Sequence, residues 1–297
     1  MRKLSAYHQK ERIKGFLFIL PALILFAAFL VYPTVYGLIL SFTSNRSASA
    51  ALQFNGIKNY IRLFTKDSYF SVSIRNNLIY ACFYTPCVLL IALLIALLLN
   101  SKIRGKSALR MICFFPYLTS MVAVASVWNL IYAPNGPINE LLRFFGAQNV
   151  PGWLMDVNWV MPSLITVAVW KNFGYYMIIL LAGLQGIPVY LYESARIDGA
   201  NSLDQFRYVT LPMLSPTIFL CLVTIVIAAF QEFDLVKIMT DGGPGRASNM
   251  LVFRIYEEGF VNVKMGYASA IAYTLFAIIM VITAFQFVMQ KKWVNYD

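Results

Sequence analysis

Two short polar runs interrupt otherwise apolar stretches of this sequence: Trp170-Lys171-Asn172-Phe173-Gly174-Tyr175-Tyr176 and Gln231-Glu232-Phe233-Asp234. Charged or amide groups inside an apolar layer cost free energy unless they face a cavity or a partner. Each run sets aromatic faces beside hydrogen-bonding groups, a combination that suits a sugar. Rings pack on the C–H faces of a pyranose while amides and carboxylates meet its hydroxyls, as in small-molecule sites with apolar walls and a few placed polar groups. The same residues have a plainer use, in which Lys171 and Glu232 form an ion pair between helices or subunits and the tyrosines join an interfacial aromatic belt. The residues alone leave both open.

A second concentration of polar residues lies in segment 184–212, which contains IPVYLYESARIDGANSLDQFRYVTLP from Ile187 to Pro212. Pro188 suits a first helical turn. A helix then runs through Tyr192, Glu193 and Ala195 to Ile197, and Asp198-Gly199 stops it, glycine supplying the left-handed conformation of a helix end. Ser202 opens a second helix, its hydroxyl capping free N–H groups while Gln205 reaches back, and Leu203, Phe206 and Val209 form an apolar stripe. The expected product is a short helix-turn-helix on the membrane surface. Lipid-binding faces are rich in Lys and Arg, whereas this segment sets Glu193, Asp198 and Asp204 against Arg196 and Arg207. A protein partner therefore fits it better than lipid.

Other chemistries find no support. Gly105-Lys106-Ser107 is the nearest approach to a phosphate loop, but Asn100 stands where GxxxxGK[ST] requires its first glycine. No HExxH or GxSxG occurs, and the single histidine, His8, lies in the amino terminus. Cys82, Cys87, Cys113 and Cys221 fall in apolar stretches without CxxC spacing and read as small buried hydrophobes. No catalytic group, metal or cofactor is expected.

The elements that must carry these residues follow from composition. At 297 residues, 60% hydrophobic and 12% charged, with a mean hydropathy of +0.67, the chain holds more apolar side chain than a soluble core can bury. That excludes a soluble domain, a disordered tail, a disulfide scaffold and a coiled coil. Six stretches reach the length of a spanning helix, near 16–43, 74–99, 108–131, 158–183, 213–236 and 267–289. The first is too long for a signal peptide and lacks a convincing cleavage site, so it reads as retained.

The formal charge of +11 reads as topology, with no nucleic-acid partner. Arg2, Lys3, Lys10, Arg12 and Lys14 precede the first span, Lys102, Arg104, Lys106 and Arg110 cluster after the second, and Lys291 and Lys292 follow the last. These segments are expected on the cytoplasmic side, as is 184–212. The connections 44–73, 132–157 and 237–266, with their Gly and Pro turns, are expected outside. The divisions are a basic amino terminus 1–15, a first span 16–43, an outer loop 44–73, a five-helix core 74–290 and a tail 291–297.

Glu193-Ser194-Ala195, Asp198-Gly199-Ala200, Val209, Leu211 and Pro212 resemble the EAA loop of the permease subunits of binding-protein-dependent ABC importers. Ser194 stands where the motif usually has alanine, and Val209 where isoleucine is common. The likeness extends over nearly the whole chain and narrows to the maltose and glycerol-phosphate type. It rests on Pro21-Ala22, Tyr32-Pro33, the run 56–60, Phe115-Pro116-Tyr117 and the run 239–245, in common order.

The resemblance implies an all-α membrane protein with six transmembrane helices, the type I importer permease fold and a cytoplasmic coupling loop. It implies a second permease in a heterodimer, two cytoplasmic ATPase subunits, an extracytoplasmic sugar-binding protein, and a bacterial or archaeal cytoplasmic membrane with its lipid. Glu193, Ser194, Ala195, Asp198, Gly199, Ala200 and Pro212 would couple the ATPase to the gate. Similarity in segment position places Lys171, Asn172, Tyr175, Ile225, Ala228, Ala229 and Glu232 near the solute cavity. The run at Gly242, Gly243 and Pro244 would help receive the binding protein, although a plain turn accounts for it equally. Two other functions compete: an ion-coupled secondary sugar transporter, for which no internal repeat is found, and a membrane-embedded glycosyl transferase, for which the acidic residues are too scattered.

Overall fold

The computed structural model describes residues 2–45, 52–101 and 103–295, with backbone alone at 2–10, 12 and 13. Lys102 therefore lies outside the described residues, as do the side chains of Arg2, Lys3, Lys10 and Arg12. Backbone groups in an apolar layer must be satisfied within their own segment, and the apolar stretches are accordingly helical. In chain order the helices are α1 (Arg2–Phe26), α2 (Tyr32–Ser41), α3 (Lys58–Thr65), α4 (Ser68–Asn100), α5 (Lys106–Leu118), α6 (Met121–Ile131), α7 (Pro137–Phe144), α8 (Val160–Gln185), α9 (Val189–Ile197), α10 (Ser202–Gln205), α11 (Leu211–Phe230), α12 (Asp234–Met239), α13 (Leu251–Tyr256) and α14 (Met265–Gln290). Wider π turns at Ala27–Val31, Phe206–Thr210 and Glu257–Val261 join α1 to α2, α10 to α11, and extend α13.

Five helical stretches are long and apolar enough to cross a membrane: Lys14–Ser41, Ser68–Asn100, Val160–Gln185, Ser202–Phe230 and Met265–Gln290. The expected third span, 108–131, is not one rod. Its halves α5 and α6 meet at a bend of 97°. Pro116 sits in the last turn of α5, and Thr119 and Ser120 are extended, with ψ of 149° and 139°. The expected fifth span also ends early: α11 stops at Phe230, and α12 starts separately at Asp234.

The chain divides into two compact units. In the first, Met1–Lys66 with Ile255–Tyr273, the end of α2 is tied to α3. Asn59 Nδ2 donates to the carbonyls of Ser41 and Thr43 at 2.8 and 2.7 Å, and the Tyr60 hydroxyl donates to Ser41 Oγ at 2.8 Å. Arg62 lies over the ring of Tyr267 at 4.7 Å, and the Tyr273 hydroxyl donates to the Thr34 carbonyl.

The second unit, Asp67–Arg254 with Thr274–Asp297, holds the polar runs. Its centre is α4 against α8, with Tyr80, Val88, Ala92 and Ala96 of α4 and Leu164, Val167, Met177 and Leu180 of α8 all buried. Small residues set how closely helices approach when lipid offers no hydrophobic drive to join them. At Gly174 of α8 a methyl group would stand 2.0 Å from the Cys113 carbonyl oxygen, so α5 and α8 touch backbone to backbone. At Gly183 it would meet Thr217 Oγ1 at 2.6 Å and Leu214 Cδ1 at 2.9 Å, which brings α8 against α11. Cys221 is buried as expected, but Cys82 and Cys87 are exposed on the outer flank of α4.

Gly174→Ala forces α5 away from α8 because the obstacle is backbone. Overpacking of this kind costs about 1–3 kcal/mol, and thermal unfolding in detergent should show the loss. Gly186→Ala is the control: its methyl would meet nothing nearer than the Gly183 carbonyl oxygen at 3.4 Å, and it should unfold like the parent.

Candidate functional site

The break between α5 and α6 organises the polar cluster of the second unit. A helix ending inside an apolar layer leaves its last carbonyls without donors. Lys171, half-buried on α8, supplies them: its Nζ donates to the carbonyls of Thr119 at 2.7 Å, Pro116 at 3.3 Å and Tyr117 at 3.4 Å. The Thr119 hydroxyl donates to the Pro116 carbonyl at 2.6 Å as well. Lys171 and Glu232 form no ion pair with each other among the described residues.

Around this cap the rings stack. Tyr117 and Tyr175 lie 4.7 Å apart and 17° from parallel, and Phe114 continues the stack at 5.7 Å. Tyr175 keeps 37% of its surface exposed, so one side of the stack is open. Asn172 is one residue on from the lysine, and the buried Tyr84 stacks on Tyr80 at 5.2 Å. The Tyr80 hydroxyl donates to Glu232 Oε2 at 3.5 Å, and Glu232 Oε1 accepts from the Leu235 backbone N–H at 3.1 Å. Glu232 thus closes the start of α12 while facing the tyrosines.

Of the expected cavity residues, the structure brings together Lys171, Asn172, Tyr175 and Glu232. It does not bring Ile225 and Ala229 to that surface: they are 0% and 1% exposed, packed in the bundle, and the Ala229 carbonyl accepts from Asn77 Nδ2 at 3.2 Å. Ala228 is exposed. Sequence reasoning missed Tyr80 and Tyr84, whose spacing of four is one helical turn and could have been read as one face. It also missed Ser73, Asn76 and Asn77, a polar stripe at helical spacing in α4. Asn76 Nδ2 donates to the carbonyls of Arg246 and Asn249 at 2.9 Å each, Ser73 Oγ donates to Asn249 Oδ1 at 2.8 Å, and the Leu251 N–H donates to Asn77 Oδ1 at 2.7 Å. The Gly- and Pro-rich run 239–245 is therefore the start of a pinned loop. Among the described residues no three His, Cys, Asp or Glu side chains come together where they could hold a metal ion.

The second site is the surface hairpin after α8. Pro188 is the residue before the helix rather than within it, with ψ 133°, and α9 runs Val189–Ile197. Gly199 takes φ +85°. The Gly199 N–H donates to the Arg196 carbonyl at 3.1 Å and the Ala200 N–H to the Ala195 carbonyl at 2.9 Å, the paired bonds of a Schellman stop. This is why Ala195, Gly199 and Ala200 stand where they do. The cap of α10 is Asn201, one residue before the expected Ser202. Its side chain accepts from the N–H groups of Leu203 at 2.8 Å and Asp204 at 3.0 Å, and Asp204 Oδ2 accepts from the Asn201 N–H at 3.2 Å. Asparagine caps at least as well as serine, and the acid three residues on completes the box. Gln205 instead donates to the Ala200 carbonyl at 3.1 Å.

The hairpin is fastened to its base by the hydrogen bond between Tyr192 and Thr210, at 3.0 Å. Pro212 lies in the first turn of α11, where its missing N–H costs nothing. Glu193, Ser194, Arg196 and Asp198 are exposed, and beside them Ile197 and Leu203 show 86% and 72% of their surface. Leu203 therefore turns outward, while Phe206 and Val209 of the expected stripe are half-buried.

This arrangement matches a known family. The model of the binding-protein-dependent transport system inner membrane component covers residues 76–295, most of the chain and both sites. The chain belongs to that family. Relatives include the lactose transport system permease protein LacF of Rhizobium radiobacter, 32% identical over 93% of each chain. The sn-glycerol-3-phosphate transport system permease protein UgpA of Agrobacterium fabrum is 31% identical over 96% of this chain and 97% of its own. Among solved structures, a bacterial alginate ABC transporter in complex with alginate pentasaccharide-bound periplasmic protein holds a chain with a TM-score of 0.82 and 25% identity, covering 95% of this chain and 96% of that one. The chain is thus a multi-pass permease with the importer fold, a transport component and not an enzyme.

Lys171→Met removes the donor shared by three carbonyls. The Pro116 carbonyl keeps the Thr119 N–H and hydroxyl as donors, but the Tyr117 and Thr119 carbonyls lose theirs. Leaving such groups unpaired costs about 1–3 kcal/mol, so the variant should melt earlier in detergent whether or not solute is present. Unchanged melting with an altered apparent affinity for solute would show that Lys171 serves the solute instead.

Proposed function

We propose that this permease is one of two membrane-spanning subunits of an ATP-driven importer, and that it moves a carbohydrate or a related polyol phosphate into the cytoplasm by alternating access. The observation that carries this reading is its alignment, over 93% and 96% of its length, with permeases named for lactose and sn-glycerol-3-phosphate. Solute reaches it from an extracytoplasmic binding protein, as the alginate transporter's periplasmic partner supports by analogy. The open side of the Tyr117–Tyr175 stack, with Asn172 and Glu232 beside it, is the solute-facing surface: rings for the sugar's C–H faces and an amide and a carboxylate for its hydroxyls. Lys171 acts there as a positioning residue.

The exposed face of α9 and its turn docks on a cytoplasmic ATPase subunit. Glu193, Ser194 and Asp198 supply polar contacts, Ile197 the apolar anchor, and the Ala195–Gly199–Ala200 stop and Pro212 keep the hairpin's angle fixed. Arg104, Lys106, Arg110, Lys291 and Lys292 set that side of the bilayer as cytoplasmic by the positive-inside rule, with both termini there, in the cytoplasmic membrane of a bacterium or archaeon. The core is 74–290. The first span, 16–43, lies outside the residues the family model matches and exposes apolar side chains along its length, which suits contact with lipid and with a distinct second permease. A second copy of the ATPase docks on that partner.

Gly199→Val tests the hairpin. A branched residue in the left-handed region costs about 1–2 kcal/mol, and the space around Gly199 is open, so the effect is on the turn alone. In proteoliposomes holding the complete complex, sugar uptake should fall at least about tenfold while the chain still inserts and reaches the membrane at normal level. Normal uptake by the variant overturns the coupling role. Uptake by the chain alone, without ATPase subunits, overturns the importer in favour of a secondary transporter.

A further inference from the structure

A groove of about 630 Å³ lies on the flank of the second unit, walled by α4, the start of α8 and the pinned loop at residues 245–247. None of Lys171, Asn172, Tyr175 or Glu232 lines it, so it is separate from the polar cluster. Its wall is apolar along Ile79, Phe83, Met161 and Ile165. From Arg75 to Cys87 it follows α4 for about 18 Å at 1.5 Å per residue, the reach of an extended acyl chain. One end is different: Arg75 and Arg246 both line the groove there, and among the described residues no Asp or Glu does.

Among the described residues neither guanidinium is neutralised. Arg75 is exposed and makes no hydrogen bond or ion pair among the described residues. Arg246 packs on the Tyr69 ring, but its Nη1 is buried without an acceptor. The neighbouring acid, Asp67, is bound to Arg254 at 3.3 Å. Arg246 is also held at φ +75°, a conformation an arginine adopts only when its surroundings impose it, and the Asn76 amide fixes its carbonyl. The loop thus holds a second arginine in the lining of a groove that Arg75 already lines.

Two unpaired cations at the head of an apolar groove call for an anion joined to a hydrocarbon chain. We propose that the groove binds one anionic phospholipid, its phosphate between Arg75 and Arg246 and one acyl chain along Ile79 and Phe83 toward Cys87. An apolar helix of a second permease would fill the wall but bring no anion to the arginines. A soluble anionic solute would meet the arginines but leave the apolar wall bare.

The test is native mass spectrometry of the full-length chain in detergent, titrated with phosphatidylglycerol and with phosphatidylcholine of matched acyl chains. Phosphatidylglycerol should bind at least about tenfold more tightly, the preference should vanish in Arg75→Gln and persist in Arg75→Lys, and all three proteins should melt alike because Arg75 makes no contact that folding needs. Equal binding of the two lipids overturns the proposal, as does an unchanged preference in Arg75→Gln. Displacement of the lipid by free glycerol 3-phosphate would make the arginines a solute subsite, and loss of the lipid when the complete complex is assembled would make the groove a subunit interface. Either result sinks the lipid assignment.

Discussion

The fold's central demand is that a helix broken at membrane depth must still satisfy its backbone. α5 ends at Leu118 with carbonyls facing an apolar layer, and the α6 that follows turns away by 97°. Water cannot pay for that break, so a side chain from another helix must. Lys171 reaches the Pro116, Tyr117 and Thr119 carbonyls, and Gly174, one turn on, lets the α5 backbone come close enough for the reach. The two residues are a pair in function: the glycine sets the separation of α5 and α8, and the lysine uses it. The stack of Tyr117 on Tyr175 then follows from the same register, since each ring projects from a helix whose spacing is already fixed.

Because α8 carries that cap and leads through Pro188 into α9, the polar cluster and the surface hairpin are mounted on the same rod. On the other side of the hairpin α11 begins at Leu211, and Gly183 holds α8 against Leu214 and Thr217 of α11. The hairpin's own geometry is stiff: a glycine stop, an asparagine capping box and the Tyr192–Thr210 bond. Under the proposed coupling role, a displacement imposed at α9 would reach α8 and α11 together instead of being absorbed in a loose loop. Continuity of packing is a structural argument for such coupling, and the physical requirement is an element with two arrangements that both ends bias. The bend at residues 119–120 is one place in the unit where a helix is already divided.

What the sequence made legible, and what it hid, divides along the range of the interaction. The stop at Gly199 was readable because a left-handed position strongly favours glycine, and the long apolar helices because bilayer thickness sets their length. The capping residue moved from Ser202 to Asn201 because both residue types cap well and the choice depends on which acid or amide, Asp204 or Gln205, turns back. The break after Pro116 was hidden for a different reason. Its cause is local but its tolerance comes from Lys171, 52 residues from Thr119 in the chain. The burial of Ile225 and Ala229 was equally hidden, since a helix as apolar as α11 gives little periodicity to tell a packed face from an exposed one.

Helix α4 shows how much one element can hold when its faces are kept distinct. Tyr80 and Tyr84 point to the polar cluster, and Ser73, Asn76 and Asn77 hold the loop that follows α12. Arg75, Ile79 and Phe83 form the outer flank. Ala92 and Ala96, one turn apart near its other end, are fully buried while Leu94 and Leu98 remain exposed. Small residues inside and large ones outside is the pattern expected when close packing, not hydrophobic expulsion, joins helices in lipid. The polar residues at one end of α4 serve the opposite need. An irregular loop carries backbone groups that a helix would have satisfied by itself, and each buried asparagine supplies the donor or acceptor that the loop lacks. An asparagine replaced by leucine at position 76 or 77 would keep α4 helical and still release the loop, because the constraint lies between the elements and not within either.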